Sequence, residues 1–142
     1  MKHIILLSAL FAIVIAGCGD SRILITGTIT YEDDGSPMNT GNIQFESAAN
    51  TYSGLIEDGK YKTGGQKAVQ GIPPGEYKVW ISGAYAQVSD GDKTGLGVLP
   101  LVADEYCSAT KTPLSFEVKP GGATTFDIKV KRPERKRPPS GK

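Results

Sequence analysis

The 142-residue sequence predicts an all-β fold, a single antiparallel β-sandwich of about seven short strands. Three observations carry this expectation. Apolar and polar residues alternate with a period of two in several segments. Eighteen glycines and nine prolines punctuate those segments. No amphipathic stretch of the roughly 10–15 residues that a helical crossover needs lies between them, which argues against a parallel α/β arrangement.

The elements follow in chain order. Residues 23–31 place Ile25, Ile29 and Tyr31 on one face and Thr26, Thr28 and Thr30 on the other. Residues 42–46 put Ile43 and Phe45 on one face. Residues 52–57 and 60–63 flank Asp58-Gly59, a pair suited to a type I′ hairpin because both central positions need φ > 0. In residues 76–82, Tyr77, Val79 and Ile81 point inward while Lys78, Trp80 and Ser82 face the other way. Leu114, Phe116 and Val118 alternate with Ser115, Glu117 and Lys119. After a Pro120-Gly121-Gly122 turn, Phe126, Ile128 and Val130 alternate with Asp127 and Lys129. The longest irregular stretch is 83–112, within which residues 96–102 offer a short edge strand. Loops of that length are uncommon in compact domains unless functional. Residues 132–142 are charged and proline-rich and read as a disordered tail.

The first residues carry an address. Lys2 gives a minimal positive start, and residues 4–15 are mostly apolar. Twelve helical residues reach roughly 18 Å, short of a bilayer core of about 30 Å, so this is a secretory signal rather than a span. Small Ala16-Gly17 and then Cys18 follow directly. Ile15-Ala16-Gly17-Cys18 resembles the lipobox of bacterial lipoproteins, whose signal peptidase cuts before the cysteine. The resemblance implies removal of residues 1–17, a diacylglycerol on the Cys18 sulfur, and acyl chains such as palmitate. Leu is commoner in that family where Ile15 stands. Gly19, rather than Asp, next to the cysteine implies delivery to the outer membrane. Several acyl chains at about 0.8 kcal/mol per buried CH₂ anchor a protein in effect permanently. Residues 18–22 are then a lipidated cysteine and short tether.

Net charge is +1, but it is unevenly spread. Residues 131–142 carry six basic side chains against Glu134 alone, whereas residues 18–130 carry nine basic and fourteen acidic ones. The basic tail is read as a solvated end or as a contact for anionic lipid heads or lipopolysaccharide. Neither the balance nor the exported address suits a nucleic-acid binder.

Gly71-Ile72-Pro73-Pro74-Gly75-Glu76-Tyr77-Lys78-Val79 resembles the carboxypeptidase regulatory-like family, a transthyretin-like (prealbumin-like) β-sandwich of Ig-like topology. There a tight Pro-Gly turn feeds a strand opening on an inward Tyr. Gly27-Thr28-Ile29-Thr30-Tyr31, Gly35-Ser36-Pro37-Met38, Gly41-Asn42-Ile43-Gln44-Phe45, Asp58-Gly59-Lys60-Tyr61 and residues 112–122 fit the same family in order. The resemblance implies one domain over residues 23–131, an accessory or structural role and no catalytic set. Small envelope lipoproteins of this kind often carry a Lys-Tyr-Asn-like segment where Glu105-Tyr106-Cys107 stands, so Cys107 is unusual there.

Tests for chemistry point away from an enzyme. The single histidine, His3, lies in the segment to be removed, which leaves no imidazole for a Ser-His-Asp or Cys-His site or for zinc. Cys107, with Cys18 consumed, has no partner in the chain and no adjacent base. Asp33-Asp34 and Asp104-Glu105 are sequence neighbours whose side chains diverge, and they read as solvated loops. Asp90-Gly91-Asp92-Lys93-Thr94-Gly95 resembles the front of a Ca²⁺ loop, but Leu101 stands where a bidentate Glu belongs, so Asp90 and Asp92 are partial candidates only. Gly64-Gly65-Gln66-Lys67 lacks P-loop spacing. No cofactor is implied. Trp80, with Tyr85 and Tyr106, is the candidate ligand platform for an envelope polysaccharide, set beside a plainly structural role with a protein partner.

Overall fold

The computed structural model describes residues 21–64, 71–88 and 97–134. Among these the fold is all-β, with strands β1 (Thr26–Tyr31), β2 (Asn42–Glu46), β3 (Thr51–Glu57), β4 (Lys60–Lys62), β5 (Gly75–Ser82), β6 (Tyr85–Val88), β7 (Gly97–Pro100), β8 (Ser115–Val118) and β9 (Ile128–Val130). Among the described residues the one helical turn is a 3₁₀ turn at Asp104–Tyr106.

Seven strands form one sheet in the order β8-β5-β2-β3-β4-β1-β9, and β6 and β7 pair as a separate two-stranded sheet. Most pairings are antiparallel, but β9 lies parallel to β1, with Ile29 opposite Ile128 and Tyr31 opposite Val130. The sheet is therefore mixed, which corrects the purely antiparallel expectation. Alternation at Phe126, Ile128 and Val130 reports which face is buried and carries no information about direction. Residues 119–127 run from one edge of the sheet to the other, so the sheet has to curl. Phe116 and Phe126 stack across that seam with centroids 4.6 Å apart.

The curl wraps one core. Ile25, Ile29, Ile43, Phe45, Val79 and Ile81 are all at most 1% exposed, each contributing roughly 1.5–3 kcal/mol by burial. The faces predicted for β1, β2 and β5 are the buried ones. Phe45 sits centrally, with ring centroids 6.1 Å from Tyr61, 6.3 Å from Tyr77 and 6.5 Å from Phe116.

Two backbone positions need glycine. At the β3–β4 turn, Asp58 has φ 50° and Gly59 φ 72°, as the type I′ expectation requires. At Gly27 a Cβ would stand 2.0 Å from the Phe126 carbonyl oxygen. That close approach lets the Phe126 N–H donate to the Thr26 carbonyl at 2.9 Å, while the Tyr61 hydroxyl donates to the Phe126 carbonyl at 2.7 Å.

Strand directions give the body two ends. At the proximal end the Ile23 N–H donates to the Ile72 carbonyl at 2.8 Å and the Thr26 N–H to Thr124 at 2.9 Å. At the distal end the Glu32 N–H donates to the Val130 carbonyl and the Ala103 N–H to Lys131, each at 2.9 Å. The β6–β7 ribbon leaves from the distal end, tied there by the Leu101 N–H on the Ala84 carbonyl at 2.9 Å. Residues 97–100 thus form a strand, as expected, but in a separate ribbon rather than at the edge of the main sheet.

Candidate functional site

Alternation in β5 sends Glu76, Lys78, Trp80 and Ser82 to the outer face of the sheet. Trp80 stands opposite Gln44 on β2. Its indole Nε1–H donates to Glu46 Oε2 at 3.0 Å, two residues along the same face. Gln44 Nε2 donates to Ser82 Oγ at 2.8 Å. The half-buried ring is thus held in one orientation among polar groups, an apolar plate with hydrogen-bonding neighbours.

Towards the proximal end this face opens into a groove of about 720 Å³, lined by Glu46, Ser47, Lys78, Thr110, Ser115 and Glu117 among others. Glu76 and Glu117 face each other directly across β5 and β8. Like charges placed opposite one another are mutually destabilising. Lys119 offsets part of this by pairing with Glu117 at 2.9 Å.

The three aromatic candidates do not form one platform. Tyr85 lies on the ribbon, 53% exposed, opposite Pro100. Tyr106 is 3% exposed and belongs to the core, which removes it from any exposed binding surface. The 3₁₀ turn swings its ring inward, and nothing in Glu105-Tyr106-Cys107 announces that turn. Burial, foremost, holds the Tyr106 hydroxyl above its usual ionisation range.

Cys107 is a half-buried free thiol whose Sγ lies 3.7 Å from the Ala103 carbonyl. Burial, aided by Asp104, pushes its ionisation up despite Lys111, which disfavours the thiolate a nucleophile needs. Cys18, His3, Asp90 and Asp92 lie outside the described residues. Among the described residues, no group of three or more His, Cys, Asp or Glu side chains is placed to hold a metal ion.

The carboxylate pairs are ion-paired rather than merely solvated. Arg132 Nε donates to Asp33 Oδ2 and Arg132 Nη2 to Asp34 Oδ2, each at 2.9 Å, with a further bond to Ser36 Oγ at 2.8 Å. Its guanidinium lies 3.7 Å above the Tyr31 ring, a cation–π geometry. Hydrogen bonds from Ser36, then the charge of Arg132, lower the Asp34 carboxyl to about 2. At the same end Lys111 pairs with Asp104, and Lys131 with Glu105. Arg132, expected as the first tail residue, is instead bound to the body. The signal that finds this cluster is the acidic pair set against a basic residue after the last strand, separated by about a hundred positions.

No family model matches the chain, and no curated protein matches it. A solved structure similar to it is a variant of BcpA, the major pilin subunit of Bacillus cereus, at 17% identity and a TM-score of 0.45. The match covers 79% of this chain and 30% of the pilin chain, so this chain corresponds to less than a third of that protein's length.

Proposed function

We propose that the chain is a lipid-anchored envelope lipoprotein, carried by Cys18, whose β-module serves without catalysis as a structural or binding unit. The observation that carries this reading is Ile15-Ala16-Gly17-Cys18 closing an apolar run too short to span a bilayer. Cys107 supports it from the other side: burial pushes the ionisation of its half-buried thiol up, which disfavours the thiolate a chemical role would need. On this reading the body is a transthyretin-like sandwich of the carboxypeptidase regulatory-like kind, with β8-β5-β2-β3 facing β4-β1-β9. The inward Tyr77 of the Pro-Gly motif supports the assignment, because its hydroxyl donates back to the Pro73 carbonyl at 2.8 Å and pins the turn to its strand. Gly19 favours the outer membrane as destination.

Intact-mass spectrometry of the membrane fraction tests the anchor. The expected product starts at Cys18 and carries acyl chains, and Cys18→Ser shifts the protein to the soluble fraction. A Cys18→Ser protein that sediments with membranes as firmly as the parent overturns the reading.

A second reading, an envelope carbohydrate-binding module, rests on the pinned Trp80 indole and the adjoining groove. A flat aromatic ring with polar neighbours suits the apolar face of a sugar. Polysaccharide pull-down compares wild type with Trp80→Ala. Retention lost in the variant supports this reading, and equal retention removes it.

A further inference from the structure

We infer that β8 is a docking edge for a second copy of this chain, the two copies joining strand to strand into one continuous sheet. Nothing in this contact depends on the lipid anchor. β8 is the end strand of the main sheet. Along it Ser115 and Glu117 are exposed, Phe116 is half-buried and Val118 is buried. The Val79 N–H donates to the Leu114 carbonyl at 3.0 Å, which sets the phase of the β5–β8 ladder. Bonded and non-bonded positions alternate along an antiparallel pair. Phe116 therefore turns its N–H and carbonyl towards β5, while Ser115 and Glu117 turn theirs away from the sheet. Among the described residues nothing bonds to those outward groups. An open edge of this kind is a template for another strand.

The edge complements itself in one register. A two-fold axis at Phe116 places Ser115 opposite the second copy's Glu117, and each such pair exchanges both of its main-chain hydrogen bonds. Every outward group of Ser115 and Glu117 is then used. Pro113, which has no N–H, falls opposite Lys119, whose carbonyl already accepts from the Gly122 N–H at 3.0 Å. Phe116, stacked on Phe126, meets the second copy's Phe116 at the close, non-bonded position. Neighbouring registers fail. An axis at Glu117 sets two carboxylates opposite each other. An axis at Ser115 sets Glu117 against Pro113 and leaves the Glu117 carbonyl unpaired.

The charges agree with the Phe116 register. Glu46, opposite Lys78 on β2, is held by the Trp80 indole. Lys78 has no carboxylate partner among the described residues, and it stands opposite Ser115. In the joined sheet the next residue along that row is the second copy's Glu117. Two strand spacings, about 10 Å, separate them, a span that a lysine and a glutamate side chain cover together across the small Ser115. Each Glu117, which faces Glu76 within its own copy and has Lys119 beside it, thereby gains a second cation. A single strand pair is a small contact, in the transient class of less than about 1,200 Å². The dimer is therefore weak and forms at high local concentration.

The test is sedimentation of the full chain over a concentration series up to about 1 mM, with amide exchange read at Ser115 and Glu117. The expected result is a monomer–dimer equilibrium in which those two amides gain protection as the dimer forms. Ser115→Pro removes an N–H that faces away from the sheet, a place where edge strands accept proline. It should abolish the dimer and leave the circular dichroism of the fold unchanged. Glu117→Lys should raise the dissociation constant about tenfold or more, and adding Lys78→Glu should restore part of that loss. Glu117→Lys also relieves the clash with Glu76, so it decides the matter if the proline variant fails to fold. A chain that stays monomeric throughout overturns the inference. So does a dimer that Ser115→Pro and Glu117→Lys leave unchanged, or one that Leu99→Ser on the ribbon dissolves instead.

Discussion

The curled sheet and the β6–β7 ribbon are both built of strands, yet they hold together for different reasons. Along β5, alternate side chains reach a shared core, with Tyr77, Val79 and Ile81 at most 4% exposed. In the ribbon, by contrast, Tyr85, Val98 and Leu99 remain 53–62% exposed. Val98 and Leu99 are adjacent, so they point to opposite faces, and both faces meet solvent. An isolated two-stranded ribbon is marginal in water. Here its base is tied down at Ala84 and Leu101, next to buried Val102. A pleated backbone is thus common to both regions, but only the sheet derives stability from its side chains.

Substitutions can break this contrast, beginning with the core. Phe45→Ala should cost about 3–5 kcal/mol, because the ring touches three other aromatic residues and leaves a cavity between them. Urea denaturation measures it, and a loss below 1 kcal/mol would mean that the sheet does not depend on its core. Gly27→Ala comes next, at about 3 kcal/mol, the upper range for overpacked sites, since its Cβ would collide with backbone rather than with a yielding side chain.

Tyr61→Phe should cost about 1 kcal/mol by removing the donor to the Phe126 carbonyl. It also bears on alkaline stability. Burial, with Asp127 assisting, raises the Tyr61 ionisation well above its usual value of 10. A raised folded-state pKa means stability that is complete below pH 10 and is lost as pH climbs above it, where the unfolded chain ionises first. The variant should lose less stability between pH 10 and 11 than wild type. Tyr31, Tyr77 and Tyr106 are raised as well and keep part of the slope.

Acid acts on the distal rim with the opposite sign. Asp34 is lowered from 3.8 to about 2, so its contribution is present above pH 4 and fades between pH 4 and 2. Ser36 is the larger cause, so Ser36→Ala should flatten this acid limb more than Arg132→Ala does. Arg132→Ala should show the greater sensitivity to salt, because its effect is mainly ionic. An acid limb flattened more by Arg132→Ala than by Ser36→Ala would assign the shift to Arg132 instead. The smallest effect belongs to the ribbon: Leu99→Ser should change the denaturation midpoint negligibly, within about 0.5 kcal/mol. A large loss would mean that the ribbon is packed against something in solution.

Local pattern made much of the architecture readable. Asn42–Glu46 has the bounds expected from its alternation, and Asp58-Gly59 adopts the turn its chemistry demands. Facing was readable too, since which side of β1, β2 and β5 is buried depends on side-chain order alone. What escaped was everything set by distant partners. The parallel seat of β9 depends on Ile29 and Tyr31, about a hundred residues earlier. Arg132 looks like the first residue of a charged tail until Tyr31, Asp33 and Asp34 are brought beneath it. Of the candidate ligand residues, Trp80 was legible as outward-facing from β5 alternation. Tyr106 was not, because a single 3₁₀ turn reversed its direction.

The pairing of β9 with β1 also sets an order of events. Its contacts join the first strand of the body to the last, and such long-range closures form slowly. Until residues 128–130 emerge, the free edge of β1 lacks its strand partner, and the Glu32 N–H that later donates to the Val130 carbonyl is unsatisfied, a template for pairing with other chains. A growing polypeptide would have to be kept from its neighbours until those residues are made. Truncation before Ile128 should therefore yield aggregates rather than a shortened, soluble module.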